Sequence, residues 1–110
     1  MGAIRLTNRT PILEATTSAV AWTIDPLADF DINFVSLIFA SAPTVTENVT
    51  VTFKSKNGTA YDTLRRSINV KGKTTLSIED IGGMEHGDSL LIEFANTDGI
   101  SITGVSSFRM

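Results

Sequence analysis

His86 is the only histidine of the chain and there is no cysteine, so the chemistry open to this sequence is narrow. A serine nucleophile would have to take its base from His86, which lies in Gly83-Met84-Glu85-His86-Gly87-Asp88, a loop-like run just before an apolar strand pattern. One imidazole and no thiolate fall short of the ligand set of a zinc site. Carboxylates gather twice, as Asp25, Asp29 and Asp31 and as Glu79, Asp80, Glu85 and Asp88. Either group has the oxygen ligands that calcium prefers, but neither has EF-hand spacing, and both read as solvated loop acids. Gly82-Gly83 and Gly87 precede a strand rather than a helix, so no helix N-terminus stands ready for a phosphate. The expectation is no enzyme, no cofactor and no metal.

The other chemistry-bearing group is basic. Lys54, Lys56, Arg65, Arg66, Lys71 and Lys73 fall between residues 54 and 73, against Asp62 alone. Phe53 and Tyr61 lie among them, a mixture of cations and aromatics that a nucleic-acid surface would use. The net charge of −3 and the low aromatic count, six Phe with one Tyr and one Trp, argue against that partner. On either side the sign reverses: residues 11–48 hold five acids and no lysine or arginine, and residues 79–98 hold six acids and again neither. Two readings follow. Neighbouring strands balance one another within the molecule, or the six cations form a candidate interface that meets an acidic face of another subunit. Asn8, Asn48 and Asn57 begin N-x-S/T triplets, which a chain rich in Ser and Thr produces by chance. No secretory signal opens the sequence, so no glycosylation is expected.

These residues must be positioned by strands. Val20, Trp22 and Ile24 alternate with Ala21 and Thr23, which predicts a strand over 18–24 with Trp22 in the core. Phe30 to Phe39 is the most apolar run, and its apolar parity switches between Phe34 and Val35. That switch predicts either a bulge or a central strand covered on both faces. Asn48 to Lys54 alternates, Lys56-Asn57-Gly58-Thr59 signals a turn, and Leu64 to Val70 returns as a second strand. Val49, Val51, Phe53 and Leu64 are the expected core residues of that pair, with the basic residues outside. Gly72 and its flanking lysines turn the chain. Short strands are expected at 3–6 and 74–78, a loop with three glycines at 79–88, and strands at 90–95 and from Ile100 to Phe108. Asn8 to Thr17 reads as a loop or irregular edge, and Leu27 to Asp31 as a loop or single turn.

The sum is an all-β chain: a two-sheet antiparallel sandwich of seven to eight strands, jelly-roll or immunoglobulin-like. At 110 residues it makes one domain, 1–110, with 1–17 as an extended arm or edge segment. Area scaling for 11.8 kDa gives about 65% of the unfolded surface buried, enough for stability without disulfides. No apolar run is long enough to span a bilayer as a helix, and no membrane partner is expected.

Several segments resemble small proteins encoded among the virion genes of tailed bacteriophages. They are Ala42-Pro43-Thr44, Glu47 to Thr52, Gly58-Thr59-Ala60-Tyr61-Asp62-Thr63-Leu64, Gly87-Asp88-Ser89-Leu90, and Phe94 with Asn96-Thr97-Asp98-Gly99. The likeness runs from about Pro11 to Gly104. This chain departs at Arg65-Arg66, where a more apolar pair is usual, and at Ser101-Ile102, where an aromatic is common. The resemblance implies a structural protein of the virion, made in the host cytoplasm and similar to head decoration (cement) proteins. Its implied partners are the major capsid protein or another virion protein, and further copies of itself, with a trimer favoured. A tail, neck or baseplate accessory role, or a carbohydrate- or receptor-binding module, is the alternative.

Overall fold

The computed structural model describes residues 12–25 and 29–109. Eight strands follow in order: β1 (Ile12–Thr16), β2 (Val20–Ile24), β3 (Phe30–Phe39), β4 (Asn48–Lys54), β5 (Thr63–Asn69), β6 (Thr75–Met84), β7 (Ser89–Phe94) and β8 (Ile102–Arg109). The expected strand at 3–6 lies outside the described residues, as do residues 26–28 of the expected loop.

The strands form two four-stranded sheets, ordered β1-β8-β3-β6 and β2-β7-β4-β5. Every pairing is antiparallel. First pairs with last inward along the chain: β1 with β8, β2 with β7, β3 with β6, and β4 with β5. A long ribbon rolled onto itself has this order, so the sandwich is a jelly roll and not an immunoglobulin fold. The β4–β5 hairpin is the tip of the ribbon.

Alternation puts one face of each strand into the shared core. Val49 and Val51 of β4, Leu90 and Ile92 of β7, and Ile102 of β8 are fully buried between the sheets. Phe39 and Phe94 meet edge-to-face across it, 6.2 Å between ring centroids. Trp22 packs against this cluster as a partly buried side chain.

The parity switch in β3 is a bulge. Against β8 the register jumps between Ile32↔Phe108 and Phe34↔Ser107, so Asn33 is the extra residue. Ile32 and Val35 thereby both face inward. Against β3, β6 carries one residue more still, from Gly82 opposite Ile32 to Glu79 opposite Phe34. This overturns the expected loop at 79–88: the strand continues to Met84, with Ile78, Ile81 and Met84 all buried. Their spacing of three hides the strand from a period-two reading. Of the two readings of Asn8 to Thr17, a loop or an irregular edge, the described part is the edge: Ile12–Thr16 pairs with β8 with a register shift between Leu13 and Thr16.

Leu64 is the other correction. A register shift lies between Val51↔Arg66 and Thr52↔Leu64, which leaves Arg65 as the extra residue of β5. Leu64 therefore shares the outward parity of Thr52 and is 58% exposed. Ile68, opposite Val49, packs against the core in its place.

Candidate functional site

The jelly-roll order sends the loops to opposite ends. Loops β2–β3, β4–β5 and β6–β7 share one end, and β1–β2, β3–β4, β5–β6 and β7–β8 share the other. Each end is tied by side chains that accept hydrogen bonds from loop backbone.

At the first end, Asp88 is buried and takes the Lys56 N–H at 2.9 Å and the Glu85 N–H at 3.0 Å, joining two loops. The Lys56 ammonium closes the same pair of loops on Glu85 at 2.7 Å. Gly87, at φ 99°, passes against Lys56, and an added Cβ would stand 3.1 Å from the lysine Cβ. Asp29 accepts the His86 N–H at 2.8 Å, which ties in the β2–β3 loop. Asp62 accepts the Ser55 N–H at 2.8 Å and pairs with the Lys54 ammonium at 2.8 Å.

At the second end, Asp98 accepts both the Thr44 N–H at 2.7 Å and the Thr44 hydroxyl at 2.9 Å. Glu47 accepts the Thr97 N–H and hydroxyl in return, so the β3–β4 and β7–β8 loops are cross-clamped. Asn96 is buried with φ 54°. Its amide donates to the carbonyls of Ser18 at 3.1 Å and Ile100 at 2.9 Å, and its oxygen accepts the Ile100 N–H at 3.1 Å.

The six cations of the sequence are spread along the length of the sandwich. Lys54 and Lys56 sit at the first end, Lys71 and Lys73 at the second, with β4 and β5 between them. Six residues of extended chain separate Asn48 from Lys54, which is roughly 20 Å. Arg65 and Arg66 lie between, on the edge strand β5. Lys54 and Lys56 are each engaged by an acid, the internal balance that one reading of the charge bands expected. The Arg65 guanidinium lies 5.1 Å from the Phe53 ring centroid, a cation–π contact. Arg66 donates to the Arg65 carbonyl at 2.9 Å and to the Glu79 carbonyl of β6 at 3.0 Å, so it bridges the two sheets at their open side. Lys71 and Lys73 are exposed and make no ion pair among the described residues.

The geometry sets the titration of the locking groups. Asp62 is held below the ordinary carboxylate value of 3.8, first by its hydrogen bond with Lys54 and then by the Ser55 N–H. Asp88 is lowered first by the Lys56 N–H, and Asp98 first by the Thr44 N–H. Lys56 is raised above 10.5, first by its hydrogen bond to Glu85. The three lowered aspartates stabilise the fold fully above 3.8, and that contribution is lost as pH falls through their depressed folded values. The thermal midpoint should therefore fall progressively as pH drops below 3.8. A calorimetric series across that range checks this; a midpoint constant or rising on acidification contradicts it. Lys56 acts in the opposite sense, its contribution being present below 10.5 and lost as pH rises through the raised folded value.

Among the described residues, no three acidic or histidine side chains converge on a point that could hold a metal ion. No described helix is long and apolar enough to cross a membrane. Open clefts among the described residues include one of about 470 Å³ lined by Asp31, Ile32, Asn33 and Gly82 and another of about 320 Å³ lined by Ala15, Thr16, Ala19, Ala21 and Trp22. Three large apolar side chains are exposed among the described residues, Ile38, Tyr61 and Leu64.

Reading the sequence by charge and catalytic type missed the loop locks. Asn96 to Gly99 read only as a turn and Glu47 only as one acid of a band, while Thr44–Asp98 and Glu47–Thr97 join residues some fifty positions apart. No family model matches the chain, and no curated protein matches it.

Proposed function

We propose that this chain is a structural, non-enzymatic protein of a tailed-bacteriophage virion, a decoration protein that binds the major capsid protein and stabilises the head. One observation carries most of the reading. Segments that resemble phage virion proteins, Ala42-Pro43-Thr44, Glu47 to Thr52 and Asn96 to Gly99, interlock at one end through Thr44–Asp98 and Thr97–Glu47. The other resembling segments, Gly58 to Leu64 and Gly87 to Leu90, lie in and beside the loops of the opposite end. A compact sandwich with both ends tied down also suits a protein that adheres in many copies, where multivalency turns weak single contacts into firm attachment. The accompanying expectation is self-association, with a trimer favoured by the resemblance.

The contact residues of this reading are Lys71 and Lys73, because the other four cations are committed within the molecule. The test is co-sedimentation of the purified chain with capsids that lack it. Binding is expected, and the double substitution Lys71→Glu/Lys73→Glu should weaken it about tenfold at low salt and much less at 1 M salt, where charges are screened. Its thermal midpoint should stay unchanged, since both lysines are exposed in a turn. Absence of binding to capsids sinks the decoration reading, and attachment to tails instead transfers it to the tail, neck or baseplate alternative.

A further inference from the structure

Among the described residues, the four edges of the two sheets are not protected alike. β5 is bulged at Arg65 and carries two adjacent arginines. β6 has an irregular register and a glycine pair, and β1 has a register shift between Leu13 and Thr16. Bulges and charges of this kind keep a free edge from pairing with another strand. β2 has none of them. Its five residues, Val20-Ala21-Trp22-Thr23-Ile24, are uncharged and free of proline, and they pair with β7 in unbroken register from Val20↔Phe94 to Ile24↔Leu90. Among the described residues β2 is hydrogen-bonded on that side alone.

The two open sides of the sandwich differ in the same sense. Between β5 and β6, Arg66 reaches across to the Glu79 carbonyl. Between β1 and β2 lies the cleft of about 320 Å³, where Ala15, Thr16, Ala19 and Ala21 leave space around a half-buried Trp22.

We infer that β2 is a self-association edge, and that its occupant is β2 of a second copy, added antiparallel about a two-fold axis at Trp22. The self-complementarity of the strand argues for a copy of itself. In that register Val20 faces Ile24 of the second copy on the core side, and Ala21 faces Thr23 of the second copy on the outer side. Apolar meets apolar, small meets small, and no like charges are opposed. The two sheets containing β2 then run on as one eight-stranded sheet, with each β5 at an outer, arginine-guarded edge. The inference goes beyond the virion reading and stands without it. It gives a dimer where the resemblance favours a trimer, so the two can fail separately.

Sedimentation velocity of the full chain, with hydrogen exchange read at 20–24, provides the test. A dimer is expected, with the β2 amides protected in a concentration-dependent way. Ala21→Lys/Thr23→Lys places charges on two exposed positions of the edge and should give a monomer, with at least a tenfold loss of association and an unchanged circular dichroism spectrum. The chain has no cysteine of its own, so Ala21→Cys/Thr23→Cys should cross-link into a covalent dimer on mild oxidation, while Thr23→Cys alone should not. A monomeric wild type at 100-micromolar-order concentration (about ten times a weak dimer constant) overturns the inference. So does a dimer that both lysines leave intact, cross-linking by Thr23→Cys alone, or β2 protection that persists in a monomer, which would mean that other residues of the same chain cover the edge.

Discussion

Asn96→Ala is expected to destabilise the protein by about 3–5 kcal/mol, lowering the thermal midpoint by roughly 12 °C or more. Two buried hydrogen bonds and one part-buried one go at once: the Ile100 and Ser18 carbonyls lose a donor, and the Ile100 N–H loses its acceptor. Each unsatisfied buried group costs about 1–3 kcal/mol. The backbone adds to this, because φ is 54° at Asn96, a conformation that asparagine tolerates and alanine resists by about 1–2 kcal/mol. Asn96→Gly separates the two causes. Glycine accepts the conformation but restores no hydrogen bond, so it should recover about 1 kcal/mol of the loss and no more. Thermal unfolding followed by circular dichroism reads both variants. A loss under about 1 kcal/mol for the alanine variant would show that the loop connections at this end do not depend on Asn96.

Asn96 is also where the limits of sequence reading are clearest. It was legible as part of a turn, Asn96 to Gly99, and the turn is there. Its role was not, because Ser18 lies seventy-eight residues away and period-two patterns carry no information on which loops meet. The same holds for Asp88 with Lys56 and for Asp98 with Thr44. Asp29 and Asp88 looked like solvated loop acids by composition. Like Asp62 and Asp98, they accept backbone N–H groups instead, which is how loops without regular pairing satisfy their donors. Local alternation did suffice for β2, β4 and β7, and the bulge of β3 was one of the two readings its parity switch allowed. Alternation failed for the second half of β6, where the irregular register against β3 shifts the phase. Strand order was beyond it, since the jelly-roll and immunoglobulin arrangements share the same alternating strands and differ in long-range pairing. The basic band is spread out for a related reason. Residues contiguous in sequence follow β5 from one end of the sandwich to the other, and four of the six cations find partners on the way that no charge count could name.

The same substitution made twice in one sheet tests the register of that band. Leu90→Ala on β7 and Leu64→Ala on β5 remove the same atoms. Leu90 is fully buried, paired with Ile24 on one side and Phe53 on the other. Its truncation leaves a cavity between the sheets and should cost about 3–5 kcal/mol, a large fraction of the stability of a domain this size. Leu64 sits on the outer face, and its truncation should change stability by no more than about 0.5 kcal/mol. Simple alternation with Ile68 and Val70 put Leu64 in the core, and a regular β5 would make the two variants equally damaging. The extra residue at Arg65 is what separates them, for it turns Leu64 outward while leaving Ile68 against Val49. Denaturant unfolding of both variants decides between these registers. Comparable losses would mean that β5 pairs without its bulge, and Arg66 would then no longer lie where it reaches the Glu79 carbonyl across the open side. A wide gap in stability ties the exposed leucine, the sheet-bridging arginine and the arginine-guarded edge to one irregularity in one strand.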